Sequence, residues 1–451
     1  MEPLDTAGLE TVRILFPDAH GVLRGKALVA SALPAALEEG IMAPATLLLK
    51  DTSHRTVFPV WEAGSDAPMQ GAGDIRLLPD PSTFRRLPWS PHSAWVLCDT
   101  VMKDGAAIPF APRDVLRRTV KDLSAQGLAL TIGIEIEFHV YALTGQPTHS
   151  DSTMPPQPPG TRPIAHGYQY LTDGVYDLLE PVLDDLRRTA QAMDMPVMST
   201  EVEMGPGQVE FTFAPGDPLE QADLLVMFRT MVKQVCARRG LHATFMCRPR
   251  IDNAVASGWH IHQSLSHRKT GPNLFIPQGD RLSPHAHGWV AGLLAHAAES
   301  CLLTTPTITG YKRYQPYQLA PDRIQWGRDN RGAMLRALMA PGDAASRIEN
   351  RVPETAANPY YAIASQIVSG MDGLKRRLVA PAPVEAPYAS DARRLPVNLA
   401  EAIAAFDGST LYRAELGDAF VDYLCALKRA EWNRYLGHLS EWEQAEYFSV
   451  F

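Results

Sequence analysis

In the stretch TIGIEIEFHV (131–140), Glu135 and Glu137 stand two apart in a run that is otherwise apolar. A period of two places both carboxylates on one face of a strand. Two like charges beside Ile132, Ile134, Ile136 and Phe138 carry a large desolvation and repulsion cost unless something compensates them. Four further stretches behave in the same way. STEVEMGPGQVEFTF (199–213) has Glu203 and Glu210 on either side of a Gly-Pro-Gly turn, so a hairpin there points both carboxylates to one side. GWHIHQSL (258–265) alternates His260, His262 and Ser264. RDNRGAMLR (328–336) carries Arg328, Arg331 and Arg336, and RIENR (347–351) alternates Arg347, Glu349 and Arg351.

Any one of these is ordinary as a solvated strand face. Together they are not, because EIEF, EFTF and HIH have apolar or aromatic neighbours. If the strands share a sheet, Glu135, Glu137, Glu203, Glu210 and Glu349 converge with His260. So many carboxylates do not all ionise in one place without cations. Five carboxylates with one imidazole suit Mg²⁺ or Mn²⁺ better than structural zinc, and the number of donors calls for two or three ions. Arg313, Arg331, Arg336, Arg347 and Arg351 supply the complementary charge, able to hold phosphates and a substrate carboxylate. Divalent metal beside clustered arginine is the equipment of phosphoryl transfer. No GxxxxGK[ST] loop and no strand-linked GxGxxG occurs, so a nucleotide is held by some other scaffold.

The elements that must position these groups are partly legible. The chain has 451 residues and a formal charge of −8, enough for more than one domain and without a basic stripe for nucleic acid. Its five cysteines are scattered singly, which excludes a zinc ribbon or disulfide framework. The N-terminus has no signal-peptide pattern and no apolar run is long enough for a bilayer, so a cytoplasmic protein without membrane contact is expected. VRILFPDAHGVLRGKALV reads as a hairpin. Pro112 opens a helical pattern, which sets a boundary between a small domain at 1–107 and a larger one at 108–451. Segment 145–168 reads as a loop. A helix at 174–193 is interrupted or restarted at Pro181, and another ends at Gly240. Residues 380–397 read as a surface loop, and the C-terminal stretch from Phe420 is helical.

The ordered motifs EIEF, EMGPGQVE, SGWHIHQS, GYKRYQP, WGRDNRGAMLR and RIENRVPETAANPY resemble the glutamine synthetase superfamily, from about residue 25 to the C-terminus. The resemblance implies an α+β fold: an N-terminal β-grasp-like domain, then a catalytic domain with a curved antiparallel sheet flanked by helices. It implies a homo-oligomeric double ring, a decamer or dodecamer, in which one subunit's N-terminal domain completes its neighbour's site. Carried over by motif, Glu137, Glu203 and Glu210 match ligands of a first metal. Glu135, His260 and Glu349 match those of a second, beside the nucleotide phosphates. His262, Ser264 and Arg347 match ATP-side positions, with Arg336 near the phosphates. Arg313, Arg331 and Arg351 match positions that hold glutamate and the transferring phosphoryl group. The implied reaction phosphorylates the glutamate γ-carboxylate and then lets an amine displace phosphate.

Two departures bear on the amine. Family members that use ammonium place an Asp and a Glu around it. Here Pro44 in LEEGIMAPATLLLKD and Leu319 in YKRYQPYQLAPDR stand at the aligned positions, with Asp51 as a nearby substitute. Loss of two carboxylates leaves an apolar wall that favours a larger amine by roughly 25 cal/mol per Å² buried. The C-terminal LKRAEWNRYLGHLSEWEQAEYF is similar to the γ-glutamyl-polyamine and γ-glutamyl-alkylamide synthetase branch. The expected function is therefore ATP-dependent ligation of glutamate to an organic amine. An ammonium-using glutamine synthetase and a non-catalytic ligand sensor are the alternatives. Val255-Ala256 in DNAVASGWH replaces the family's usual Asn-Gly, which leaves a glutamate analogue open as the acid.

Overall fold

The computed structural model describes residues 4–62, 68–145, 157–268, 271–279, 281–315 and 319–451. Its first sheet is built from β1 (Thr11–Pro17), β2 (Leu23–Val29), β3 (Ile41–Pro44), β4 (Asp74–Pro79), β5 (Arg85–Arg86) and β6 (Ser93–Met102). The strand order is β2-β1-β6-β4-β3, with β5 also on β6. The expected hairpin is β1 with β2, antiparallel from Thr11↔Val29 to Pro17↔Leu23. Its turn is tied by the Asp18 carboxylate, which accepts from the backbone N–H groups of His20 and Val22 at 2.9 and 3.0 Å. Alternation buries Val12, Ile14 and Phe16 on one face. β1 pairs with β6 in parallel.

The second sheet carries the chemistry. It comprises β7 (Leu128–Leu143), β8 (Thr161–Pro163), β9 (Val197–Val202), β10 (Gln208–Gly216), β11 (Leu241–Thr244), β12 (Trp259–His267), β13 (Trp326–Arg328), β14 (Leu335–Leu338) and β15 (Arg347–Asn350). The order is β13-β14-β15-β12-β7-β10-β9, and β8 and β11 also pair with β7. One edge pair, β13 with β14, is parallel, so the sheet is antiparallel except there. Ile132, Ile134, Ile136 and Phe138 of β7 are fully buried. Phe138, Phe211 and Phe213 gather on Phe228 of the helix Pro218–Arg238, with ring centroids 6.0, 5.1 and 5.0 Å away. That apolar layer commits the other face of β7 to Glu135 and Glu137.

Several local expectations are corrected. The helix Asp173–Gln191 runs unbroken through Pro181. Pro181 is exposed, so the unpaired carbonyl one turn earlier can be hydrated, while Val175, Leu179, Leu183 and Leu186 hold the buried side. The expected loop at 145–168 lies partly outside the described residues, and its Thr161–Pro163 forms β8 against β7. Helices do begin at Pro112 and end just before Gly240, whose φ is +70°. Segment 380–397 has no strand or α-helix, only a 3₁₀ turn at Pro387–Ala389. The C-terminal stretch is two helices, Asp418–Leu436 and Glu441–Tyr447.

The two sheets are joined by buried polar contacts. Arg113 ties Asp80, Asp99 and Asp223 together at 2.8, 2.7 and 2.8 Å. Asn358 Nδ2 donates to the carbonyls of Asp18 and Ala19 at 3.1 Å. Among the described residues no helix is long and apolar enough to cross a membrane.

Candidate active site

The register of the second sheet assembles the charged groups. Glu137 lies opposite Glu210 on β10, and Glu210 lies opposite Glu201 on β9. On the other side of β7, Glu135 faces His260 and Gly133 faces His262. His262 faces Glu349, which faces Arg336. The alternating residues of six strands thus form one row on the face away from the Phe228 layer. Directly opposed carboxylates destabilise a sheet, so this row is held for a purpose other than folding.

Glycines allow the approach at two places. Gly207 turns the chain between Glu203 and Glu210 at φ +64°, where a Cβ would lie 2.3 Å from the Val140 carbonyl oxygen. Gly258 leaves room for Arg313 Nη2 and His260 Nε2, which a Cβ would meet at 2.5 and 3.0 Å.

Three overlapping donor groups result. Atoms of Glu137, Glu203 and Glu210 lie within 4.8 Å of one another, and so do those of Glu135, His262 and Glu349 and of Glu135, Glu210 and His260. His260 stands among these groups. Its Nδ1 is 3.1 Å from Glu135 and 3.5 Å from Glu349, and its Nε2 is 3.8 Å from Glu137. His262 Nε2 is 2.9 Å from Glu135.

The electrostatics differ across the row. Burial, then the Glu137 charge, pushes Glu203 up to about 8. Burial with Glu137 and Glu135 raises Glu210 well above the usual carboxylate range. Burial also works against ionised Glu135, but its hydrogen bonds to His260 and His262 outweigh this and hold it far below that range. Burial likewise opposes ionisation of Glu349, and the charges of His260 and Arg351 outweigh it. A cation at this place would favour the ionised form of Glu203 and Glu210 at neutral pH. Oxygen donors with imidazole are the donor chemistry of Mg²⁺ and Mn²⁺, and the residues fit such an ion.

The arginines are brought to the same face, unequally. Arg351 is ion-paired with Glu349, and its Nε and Nη2 donate to the carbonyls of Arg331 and Leu319 at 3.1 and 3.5 Å. Arg336 bridges Glu349 at 3.1 Å and Asp329 at 2.6 Å. Arg347 Nε donates to His262 Nδ1 at 3.1 Å. Arg313 is buried and already donates to the carbonyls of Arg351, Val352 and Pro353, so only part of its fork is free for a substrate. Arg331 is exposed. Glu135, His262, Ser264 and Arg347 line a cavity of ≈ 610 Å³ that also has apolar walls at Met198, Phe213 and Leu265.

The two residues expected at the amine lie apart. Leu319 is 53% exposed with φ +52° and touches the site through its carbonyl on Arg351. Pro44 ends β3 opposite Asp74, exposed, in the other sheet. Asp51 is no substitute base. It is buried, accepts from the backbone N–H groups of Ser53 and Arg55, and is ion-paired with Arg434.

Sequence reasoning missed a buried relay behind Glu137. Gln208 Nε2 donates to Glu137 at 2.9 Å and to Ser257 Oγ at 3.0 Å, and Ser257 Oγ is 3.2 Å from His139 Nδ1. Burial pushes His139 down to about 4, so it is neutral. Gln208 stands two residues before Glu210, and the period of two that marks Glu135 and Glu137 marks it as well. Tyr170 was also missed. Burial and the charges of Glu203, Glu201 and Glu210 push its phenol up to about 12. It lies in a loop, where no periodicity identifies it.

Residues 109–447 match the family model for the catalytic domain of glutamine synthetase. The chain belongs to the glutamine synthetase family. A γ-glutamylanilide synthase of Acinetobacter sp. is 40% identical over 99% of this chain and 94% of its own length. A γ-glutamylethanolamide synthetase (GlnA4) of Streptomyces coelicolor is 32% identical over 96% and 92%. A solved GmaS/ADP complex superposes with a TM-score of 0.83 at 26% identity, over 98% of this chain and 97% of that one. The α+β architecture expected of the family is the one observed.

Proposed function

We propose that the protein is an ATP-dependent ligase that joins the γ-carboxylate of glutamate to an organic amine, giving a γ-glutamylamide, ADP and phosphate. The observation that carries this is the single row of Glu137, Glu203 and Glu210 beside Glu135 and Glu349, which His260 Nδ1 approaches at 3.1 and 3.5 Å, with Arg336 and Arg351 held on Glu349. In this reading Glu137, Glu203 and Glu210 would hold one Mg²⁺ or Mn²⁺ and Glu135, His260 and Glu349 another. Bound divalent ions neutralise phosphate charge as the phosphoryl group moves.

The chain's own residues do the rest. His262, Ser264 and Arg347 line the nucleotide cavity, and Arg336 faces the phosphates. Arg313, Arg331 and Arg351 hold glutamate and the moving phosphoryl group, placing two anions together that repel in water. A γ-carboxylate oxygen attacks the γ-phosphorus of ATP, and the bond to ADP breaks. The amine nitrogen then attacks the acyl carbon, phosphate leaves with that carboxylate oxygen, and the amine gives up a proton.

The amine is organic, because neither Pro44, Leu319 nor the engaged Asp51 supplies a carboxylate for ammonium. An arylamine fits best. Its lone pair is delocalised into the ring, so at neutral pH it is uncharged and needs neither an anionic cage nor a base for a first proton. Two relatives in the family make an anilide and an ethanolamide. Pro44 is exposed at the end of β3, and in this reading it meets a neighbour's Leu319 in a ring-shaped decamer or dodecamer. The exposed apolar C-terminus (Trp442, Phe448, Phe451) supports such an assembly. A reduced, ATP-consuming enzyme of this kind belongs in the cytoplasm.

Isotope transfer tests the chemistry. With glutamate labelled with ¹⁸O in the γ-carboxylate, the reading predicts one ¹⁸O per released phosphate in the presence of aniline. Unlabelled phosphate overturns it.

A further inference from the structure

A second cavity, of ≈ 500 Å³, lies between the two sheets and away from the metal row. Its walls are the β1–β2 turn at Ala19–Leu23, the helix Pro218–Arg238, and parts of the helices Ala297–Thr304, Pro359–Lys375 and Asp418–Leu436. Val22, Phe245, Met246, Leu302, Leu303 and Leu424 make much of it apolar. Four basic side chains also line it: His20, Arg229, Lys233 and Lys428.

The charges do not balance. Lys428 is paired with Glu431 at 2.9 Å. The nearby Asp18 is held by Arg24 at 2.9 Å and by two backbone N–H groups. His20 bonds the Lys50 carbonyl at 3.0 Å, and burial lowers its pKa, so it is neutral. Arg229 is 8% exposed, yet its donors reach only the carbonyls of Thr355, Ala357 and Gly21. Lys233 follows it by one helical turn and feels its charge. Among the described residues neither cation has a carboxylate within ion-pair distance. Two like charges at i and i+4 repel. Lys233 is exposed to water, whereas Arg229 is a buried cation, costly to hold, that the Asp18 charge offsets only without direct contact. Burial lowers Arg229 to about 10, in the direction of that cost.

We infer that this cavity is a binding site for a small organic anion, a carboxylate with an apolar body. The carboxylate would sit between Arg229 and Lys233 and the body against Phe245, Leu302 and Leu303. Arg229 joins the β1–β2 turn to the Thr355–Ala357 segment, a few residues beyond Glu349 and Arg351. An occupant here would therefore bear on how the first sheet sits against the second.

The test is calorimetric titration of the full-length protein with three probes: phenylacetate, 4-phenylbutyrate and 4-methyl-2-oxopentanoate. The neutral 4-phenylbutan-1-ol and inorganic phosphate serve as controls. At least one carboxylate is expected to bind saturably, one per chain, with unchanged affinity in saturating Mg²⁺–ADP. The alcohol and phosphate are expected to bind at least tenfold more weakly. Lys233→Glu is expected to weaken carboxylate binding at least tenfold while its melting temperature and basal ligase activity stay those of the parent. Lack of saturable binding by all three carboxylates overturns the inference. So does competition by ADP, equal binding of the alcohol, or unchanged binding in K233E. Failure here leaves the ligase reading untouched, because the readout is binding at another site.

Discussion

At the residue scale the account rests on a row of carboxylates that resist shared ionisation. Glu137→Gln and Glu210→Gln should each lower kcat by at least about a hundredfold, with the fold retained, since each removes a charged ligand from the row. Gln208→Leu is a subtler probe. It cuts the relay to Ser257 and His139, and loss of such an outer partner costs about 10–100-fold in metal affinity. Titration of Mn²⁺ by electron paramagnetic resonance would show this without an activity assay. The raised Glu203 carries a pH prediction. Its folded-state pKa of about 8 lies above the ordinary value of 4.5. The metal-free protein therefore binds a proton more tightly when folded, and loses that stability as pH rises from the ordinary value through about 8. Mg²⁺ restores it, so the melting-temperature increase caused by Mg²⁺ should be larger at pH 8.5 than at pH 6. An increase that shrinks with pH would contradict this. These residues were legible because strand periodicity marks them without knowledge of the fold. Tyr170, and the engagement of Asp51 by Arg434, were not legible, because loops and long-range ion pairs leave no periodic trace.

At the element scale β7, β10 and β12 of the catalytic sheet were readable from apolar alternation, and their pairing was not. Nothing local states that His262 stands opposite Glu349, 87 residues on in the chain. The family resemblance grouped Glu349 with His260 and Glu135, and the pairing with His262 comes from the fold. The helix running through Pro181 shows the converse: a local rule overridden by a buried face. Another tertiary feature is His296, where the helices Pro284–Ala295 and Ala297–Thr304 meet. It bridges Glu299 at 3.0 Å and Asp372 at 2.8 Å. Burial works against its charge, but these two carboxylates outweigh it and raise its pKa above 6.5. Its contribution is thus present in full below pH 6.5 and lost as pH rises through the folded-state value. His296→Gln should cost about 1–3 kcal/mol at pH 6. The difference from the parent in urea unfolding should shrink at pH 9. A constant difference would show that only packing is involved.

At the scale of the whole molecule, Trp442, Tyr447, Phe448, Val450 and Phe451 form an exposed apolar group after Ser440. Under the proposed ring assembly with shared sites, deletion of residues 441–451 should give smaller species, read by light scattering after size exclusion, and lower activity. The measurement that bears most directly on the central claim is kcat/KM for phosphate release with Mg²⁺, ATP and glutamate, comparing aniline, ethanolamine, isopropylamine and ammonium from pH 6.5 to 9. The account predicts that an organic amine exceeds ammonium by orders of magnitude. It also predicts that the aniline profile is nearly flat in pH, while the alkylamine profiles rise as their ammonium forms lose a proton. Preference for ammonium at every pH would contradict it, and would mean that a residue other than Pro44, Leu319 or Asp51 receives the proton.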